Sequence, residues 1–349
     1  MSMKTLKIAL KGKGKYLGME KGCFIIRDKN GNVERYPLFE NVIDEITVVS
    51  GNTVSTGALV SCGFWGITVL VLTRRGEPVA VLRSIDDDSH VKTRIAQYEA
   101  LKNGKGLEIA KKIVEARIKS QNFLLEKYNL KTHNLDSFKN KIEKVGSNSL
   151  NKARTRLLGI EGKATDHYYK QIFELFPESV RIKKRFSWRA YDGINNTFNL
   201  AYTLLKYRVF VAVLRAHLEP YLGFLHSEQW GKPSLVCDLM EIYRYLIEDL
   251  VIEFSQKLTK KDFVLKKEWY SSNRLAKRQV LNEKKTRELV KEIEELFENK
   301  VKIPRIRHGK TQTLETLINE EAYLLAKYLR AERKVWKPRI PYIRGQAWG

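Results

Sequence analysis

Residues 66–100 read GITVLVLTRRGEPVAVLRSIDDDSHVKTRIAQYEA, and the character of the chain changes within them. GITVLVL and PVAVLR are short runs rich in β-branched residues, and the turn-forming RRGEP lies between them. That pattern reads as strand, turn, strand. After SIDDDSH (84–90) the pattern becomes helical and stays so almost to the end. The acids Asp86 to Asp88 suit a helix start, where the macrodipole favours negative charge.

Working back from this point, KTLKIAL, CFIIRD and DEITVVS are further strand runs, bounded by KGKG, DKNGN and SGN. The Asn-Gly pair in DKNGNVERY is a strong hairpin signal. A short helix fits STGALVSCGFW. Working forward, helices are expected over 89–103, 106–128, 135–157, 160–176, 192–218, 234–258, 273–299 and 311–335. The tail KPRIPYIRGQAWG has two prolines and reads as extended or mobile. The fold class expected is α+β, an N-terminal β-rich domain followed by a larger all-helical domain. The boundaries expected are 1–84 for the β domain, 85–90 for a linker, 91–336 for the helical domain and 337–349 for a basic tail.

The chain has 349 residues, 64 basic and 40 acidic, for a net charge of +24. Residues 1–90 hold 12 basic and 10 acidic side chains, so nearly all the excess lies beyond them. Such an excess points to a polyanion, nucleic acid or an anionic membrane surface. Membrane insertion is the weaker reading, because the apolar part of the longest uncharged stretch, ITVLVL, is only strand-length. The N-terminal residues carry no signal-peptide pattern. Cys23, Cys62 and Cys237 are far apart and no CxxC occurs, which argues against a disulfide framework or thiolate zinc site. A cytoplasmic protein is expected.

GFLHSEQWGKPSLVCDLMEIYR (223–244) carries the chemistry. A largely apolar helix is expected from Ser234, with Asp238, Glu241, Tyr245 and Glu248 as its polar stripe. Two buried carboxylates three residues apart need a compensating cation. Arg244 and nearby lysines are one answer, and a solvated stripe is another. A divalent ion held with His226 is a third. A further ligand is sought in LLGIEGKATDHYYKQIF (157–173). There Glu161 stands between Gly159 and Gly162, which let backbone or substrate come close, and helical spacing turns Asp166 and His167 away from it.

GIEGKATDHYY, DGINNTFNLAYTLL (192–205) and 223–244 together resemble the CRISPR-associated integrase family, the Cas one proteins of spacer acquisition. Residues 51–82 are similar to the end of that family's β domain, and 90–100 to its first helix after the linker. The resemblance implies a β domain that forms homodimers and a helical catalytic domain holding Mn²⁺ or Mg²⁺. Carried over by motif, the metal ligands are Glu161, His226 and Glu241, with Asp238 as a further catalytic acid. Many members have Asp where this chain has Glu241, so three roles stay open for Asp238: ligand, acceptor behind the ligands, or partner of a cation. Asn195 is either a buried hydrogen-bonding residue behind the site or a helix-start residue near Asp192.

The implied activity is a metal-dependent integrase and endonuclease that joins a spacer 3′-hydroxyl to repeat DNA by transesterification. The implied partners are DNA, as protospacer duplex and CRISPR repeat, and the small Cas two protein. Four basic stretches interleaved with aromatics suit DNA: 181–189, 257–279, 300–310 and 332–344. A silent DNA-binding scaffold and a general nuclease are the competing readings.

Overall fold

The strand runs before residue 84 form two four-stranded sheets in a computed structural model. It describes residues 5–38, 42–74, 78–84, 91–146, 149–187, 190–271, 274–301 and 312–342. The chain divides into two units, Met1–Val91 and Lys92–Gly349. The expected linker 85–90, with its three acids, lies outside the described residues.

The first unit contains β1 (Thr5–Leu10), β2 (Tyr16–Glu20), β3 (Cys23–Arg27), β4 (Val33–Pro37), β5 (Val42–Val49), β6 (Thr53–Val54), α1 (Thr56–Phe64), β7 (Thr68–Leu72) and β8 (Pro78–Leu82). One sheet has the order β1-β5-β7-β8, with β1, β5 and β7 parallel and β8 antiparallel. The other runs β4-β3-β2-β6. The expected Asn30-Gly31 turn joins β3 to β4. Gly31 has φ 85°, and the Asp28 carboxylate accepts from the Asn30 and Asn32 amides. The short helix is present as α1, started by Ser55, whose hydroxyl accepts the Ala58 amide at 3.1 Å. Leu10, Leu17, Phe24, Ile46, Ala58 and Cys62 close the core. The opposite face of α1 leaves Val60, Phe64 and Trp65 exposed.

The second unit is mostly helical. It contains α2 (Val91–Ala100), α3 (Lys105–Lys127), α4 (Leu135–Glu143), α5 (Leu150–Ile172), α6 (Gly193–Arg215), α7 (Ser234–Met240), α8 (Arg244–Ser255), α9 (Glu283–Glu298) and α10 (Leu314–Leu329). It also contains β9 (Phe263–Ser271), β10 (Arg274–Leu281), β11 (Lys300–Val301) and β12 (Gln312–Thr313). One core runs through it, with Leu157, Tyr168, Phe198, Tyr243, Tyr245 and Trp336 buried. None of its helices is long and apolar enough to cross a membrane among the described residues.

Four boundaries differ from expectation. The β9–β10 hairpin occupies a span expected to be coil and then helix. RLAKRQVL is rich in helix formers, and tertiary bonds override that preference. Asn196 Nδ2 donates to the Gln279 carbonyl at 2.7 Å, and the Gln279 amide donates to Tyr191 O at 2.8 Å. The expected 135–157 and 160–176 helices meet differently, as α4 and a long α5 that runs through both Gly159 and Gly162. The single helix expected over 234–258 is two, parted at 241–243. The tail is extended through 342 and held down. Trp336 is buried, and Tyr245 donates its hydroxyl to Pro341 O.

Candidate metal centre

Asp238 on α7 is fully buried and ties the 223–226 loop to the helix. Its Oδ2 accepts the amides of Phe224 at 2.5 Å and Leu225 at 2.9 Å. Its Oδ1 accepts the amide of His226 at 2.9 Å and its ring Nδ1 at 2.8 Å. Both oxygens are therefore engaged by this chain, and Asp238 holds the loop and the imidazole in place. The Nδ1 bond places the ring proton there in the neutral tautomer and leaves the Nε2 lone pair for a ligand. Burial works against a charged ring, but the Asp238 bond and charge outweigh it, with Glu241 adding, so His226 titrates above its ordinary 6.5. Gly223 belongs to the same knot, because an added Cβ would meet His226 O and the Ser234 carbonyl carbon at 2.8 Å.

Glu241 sits where the helix breaks. Ile242 N–H bonds Leu239 O and Tyr243 N–H bonds Met240 O, a tightened turn in place of the α ladder. Glu241 is 7% exposed. Its Oε1 accepts from Arg244 Nη1 at 2.8 Å. Its Oε2 lies 3.4 Å from Arg117 Nε, an ion pair without hydrogen-bond geometry, and is buried without a hydrogen bond. Burial opposes its charge, but Arg244 and then Arg117 outweigh that and hold the carboxyl below the usual range.

Glu161 projects from the middle of α5. Its Oε1 accepts from Thr165 Oγ1 at 2.5 Å, and Thr165 accepts from Gln121 at 2.9 Å. Burial and then the nearby Glu241 charge push its carboxyl up. Glu241 thus acts electrostatically on both Glu161 and His226. A Cβ added at Gly159 or Gly162 would meet nothing within 4 Å, so no backbone packs there and that side is open. Asp166 pairs with Lys170 at 2.8 Å, and the His167 ring lies 5.3 Å from that of His133.

Among the described residues no three His, Cys, Asp or Glu side chains already enclose one ion position. The donors nevertheless fit a hard divalent cation. They offer two carboxylates and one imidazole nitrogen, and a buried Oε2 lacks a hydrogen bond.

Glu248 on α8 belongs to the polar stripe of the 234–258 segment. It is fully buried and accepts from Arg117 Nη2 at 2.8 Å and Nη1 at 3.2 Å, and from the hydroxyls of Tyr168, Tyr169 and Tyr202 at 2.6, 2.9 and 2.6 Å. Arg117 outweighs the burial penalty and holds the Glu248 carboxyl at about 2. Arg117, fully buried, links this network to Glu241. Its sequence signal was faint, one arginine within the apolar pattern of α3. Asn195 is buried in the first turn of α6. Its amide caps on Asp192 at 2.7 Å, and its side chain holds Lys184 O, the Phe186 amide and Arg185.

The basic stretches are of mixed use. Arg185 is bonded to Asn195 and Asn199, and Arg339 to Glu320 and Glu321. Lys183, Lys260, Lys261, Lys266 and Lys267 are exposed. Residues 188–189, 272–273, 302–310 and 343–344 of these stretches lie outside the described residues.

The family model for CRISPR associated protein Cas1 matches residues 8–328. The chain is 30% identical over 258 residues to CRISPR-associated endonuclease Cas1 2 of Pyrobaculum aerophilum, covering 72% of this chain and 84% of that one. A solved casposase bound to integration product matches with TM-score 0.73 at 23% identity, over 99% of this chain and 96% of that one. A chain of a Cas6-RT-Cas1–Cas2 complex matches with TM-score 0.73 at 20% identity, over 97% of this chain and 36% of that longer one. Both structural likenesses speak for the fold. The match along nearly the whole chain shows that this protein belongs to the Cas1 family of CRISPR-associated proteins.

Proposed function

We propose that this protein is a divalent-metal-dependent DNA integrase and endonuclease of CRISPR adaptation. The observation that carries the reading is Glu241, set at a helix break with one buried oxygen lacking a hydrogen bond and near enough to Glu161 and His226 for its charge to act on both. The relatives' names and the casposase likeness support the same class of chemistry.

In this reading Glu161, His226 through Nε2, and Glu241 hold Mn²⁺ or Mg²⁺. The ion, when bound, polarises the phosphoryl group and lowers the pKa of the attacking hydroxyl. The 3′-oxygen of an incoming strand attacks phosphorus in the repeat backbone. One phosphodiester P–O bond forms, one breaks, and the proton of the attacking hydroxyl ends on the leaving 3′-oxygen. Water in place of the hydroxyl gives cleavage. Asp238 fixes the imidazole, and Arg117 and Arg244 set the charge on Glu241.

Homodimerisation through the β unit fits the exposed Val60, Phe64 and Trp65 of α1 and its C-terminus, an apolar group that a second copy would cover. The Cas2 partner rests on the complex that this fold matches. Exposed lysines beyond residue 180 suit DNA phosphates.

The decisive test is strand transfer from a duplex with free 3′ ends into a repeat-bearing plasmid, with Mn²⁺ or EDTA. Wild type is expected to form joined products only with Mn²⁺, and Glu161→Ala to lose at least about 100-fold in rate while still binding DNA. DNA binding without products from wild type, even with Cas2 added, would support a scaffold instead.

A further inference from the structure

A cleft of about 710 Å³ opens in the second unit, and none of its lining residues belongs to the metal centre. Three segments build it. Lys112, Glu115, Ala116 and Lys119 come from α3. Glu320, Tyr323, Leu324 and Lys327 come from α10. Arg333 and Lys337 to Ile340 come from the extended segment that follows, and Gln312 completes the lining. Six cations face two acids. One acid is already engaged, because Glu320 accepts from Arg339 and from Gln312, each at 2.9 Å. The other, Glu115, is pushed toward its neutral form by burial.

The walls are fixed in advance. The extended segment is anchored by buried Trp336, by Arg339 on Glu321 at 2.9 Å, by Tyr245 on Pro341 and by Tyr342 stacked on Phe123 at 5.2 Å. Cations brought together from three separate segments are a concentrated field for phosphate rather than a solvated helix face. Tyr323 stands among them with its side chain 45% exposed. An aromatic ring between cations suits a base with its phosphates. In a duplex the base faces are stacked on one another, so the ring reaches one only on an unpaired strand.

We propose that this cleft binds a short unpaired stretch of DNA, its phosphates against Lys112, Lys119, Lys327, Arg333 and Lys337 and a base against Tyr323. The assignment rests on the reading of this protein as a DNA enzyme and adds to it a second contact site, separate from the metal centre. Occupancy of the cleft holds a strand whose continuation is processed elsewhere.

The test is fluorescence anisotropy with a labelled oligothymidine and a blunt duplex of equal length. The proteins are wild type, Lys112→Ala/Lys327→Ala/Lys337→Ala, Tyr323→Ala and Glu161→Ala. The triple variant is expected to lose about 10- to 100-fold in affinity for the single strand, with a salt slope smaller by about two and little change for the duplex. Tyr323→Ala should lose about 10-fold on the single strand alone, with its salt slope unchanged. Glu161→Ala should bind the oligothymidine as wild type does, and melting temperatures confirm that every variant folds. In strand transfer with single-stranded extensions on the donor, the triple variant should raise KM and hold kcat.

Undiminished single-strand affinity in the triple variant would overturn the proposal, as would equal losses for single strand and duplex. Displacement of the oligothymidine by thymidine monophosphate or inorganic phosphate at similar concentrations would reassign the cleft to a small free phosphate. Absence of strand transfer in wild type would remove the proposed function and leave the binding result standing.

Discussion

At the scale of single residues, Asp238 shows what an acid can do without touching a ligand. One carboxylate collects three backbone amides and an imidazole. Asp238→Ala strands three buried donors and releases the ring. The expected cost is about 3 kcal/mol, near 10 °C in melting temperature, together with loss of Mn²⁺-dependent strand transfer. His226→Ala should lose the activity and keep its melting temperature within a few degrees. Equal melting of Asp238→Ala and wild type would show the loop to be held by something else. Residue type and spacing offered Asp238, Glu241 and His226 as a group while leaving a solvated stripe and an arginine-matched pair open, and the family resemblance is what joined them. The sequence did not show which acid faces inward, because that depends on where the 223–226 amides come to lie.

Elements show a different limit. The break between α7 and α8 has no proline or glycine in DLMEIYR to announce it. Leu239, Tyr243 and Tyr245, on and beside the break, are all buried. The β9–β10 hairpin was hidden too, with bonds to α6 and its lead-in overriding local preference. The helical character of α3, α5 and α6 was legible, because long apolar periodicity survives any packing. The network on Glu248 spans α3, α5, α6 and α8 and could be seen in none of them alone. Glu248→Gln leaves buried Arg117 with Glu241, 3.4 Å from its Nε, as its remaining counter-charge, and the expected loss is about 3 kcal/mol by urea denaturation. Replacing both partners, Arg117→Met with Glu248→Leu, should recover part of that loss. A double variant no more stable than Glu248→Gln would count against a charge-pairing account.

For the whole molecule, acid should be the first solution condition to loosen the helical unit. Glu248 is held at about 2, below its ordinary 4.5, so its contribution is complete above pH 4.5 and is lost as pH falls toward 2. His133 is buried, and burial followed by the His167 charge lowers it to about 4, so the unfolded chain takes up this proton first and stability falls from pH 6.5 down to 4. Glu161, pushed up, acts in the opposite sense. Melting temperature is therefore expected to decline between pH 6.5 and pH 3, and Glu248→Gln should flatten the part below pH 4.5. A melting temperature level across that range would contradict both assignments. The division into a neutral β-rich part and a basic, mostly helical part was legible in composition alone, since charge is counted before anything folds.

Helix α3 carries two messages on neighbouring faces. Arg117 looks inward to Glu241 and Glu248, while Lys112, Ala116 and Lys119 line the cleft. A helix turns about 100° per residue, so adding or deleting one residue between Lys112 and Arg117 would swing one face out of phase with the other. Substitutions can drift along this rod one face at a time. Insertions cannot, because the pitch of the helix fixes the angle between the face that meets Glu241 and Glu248 and the face that lines the cleft.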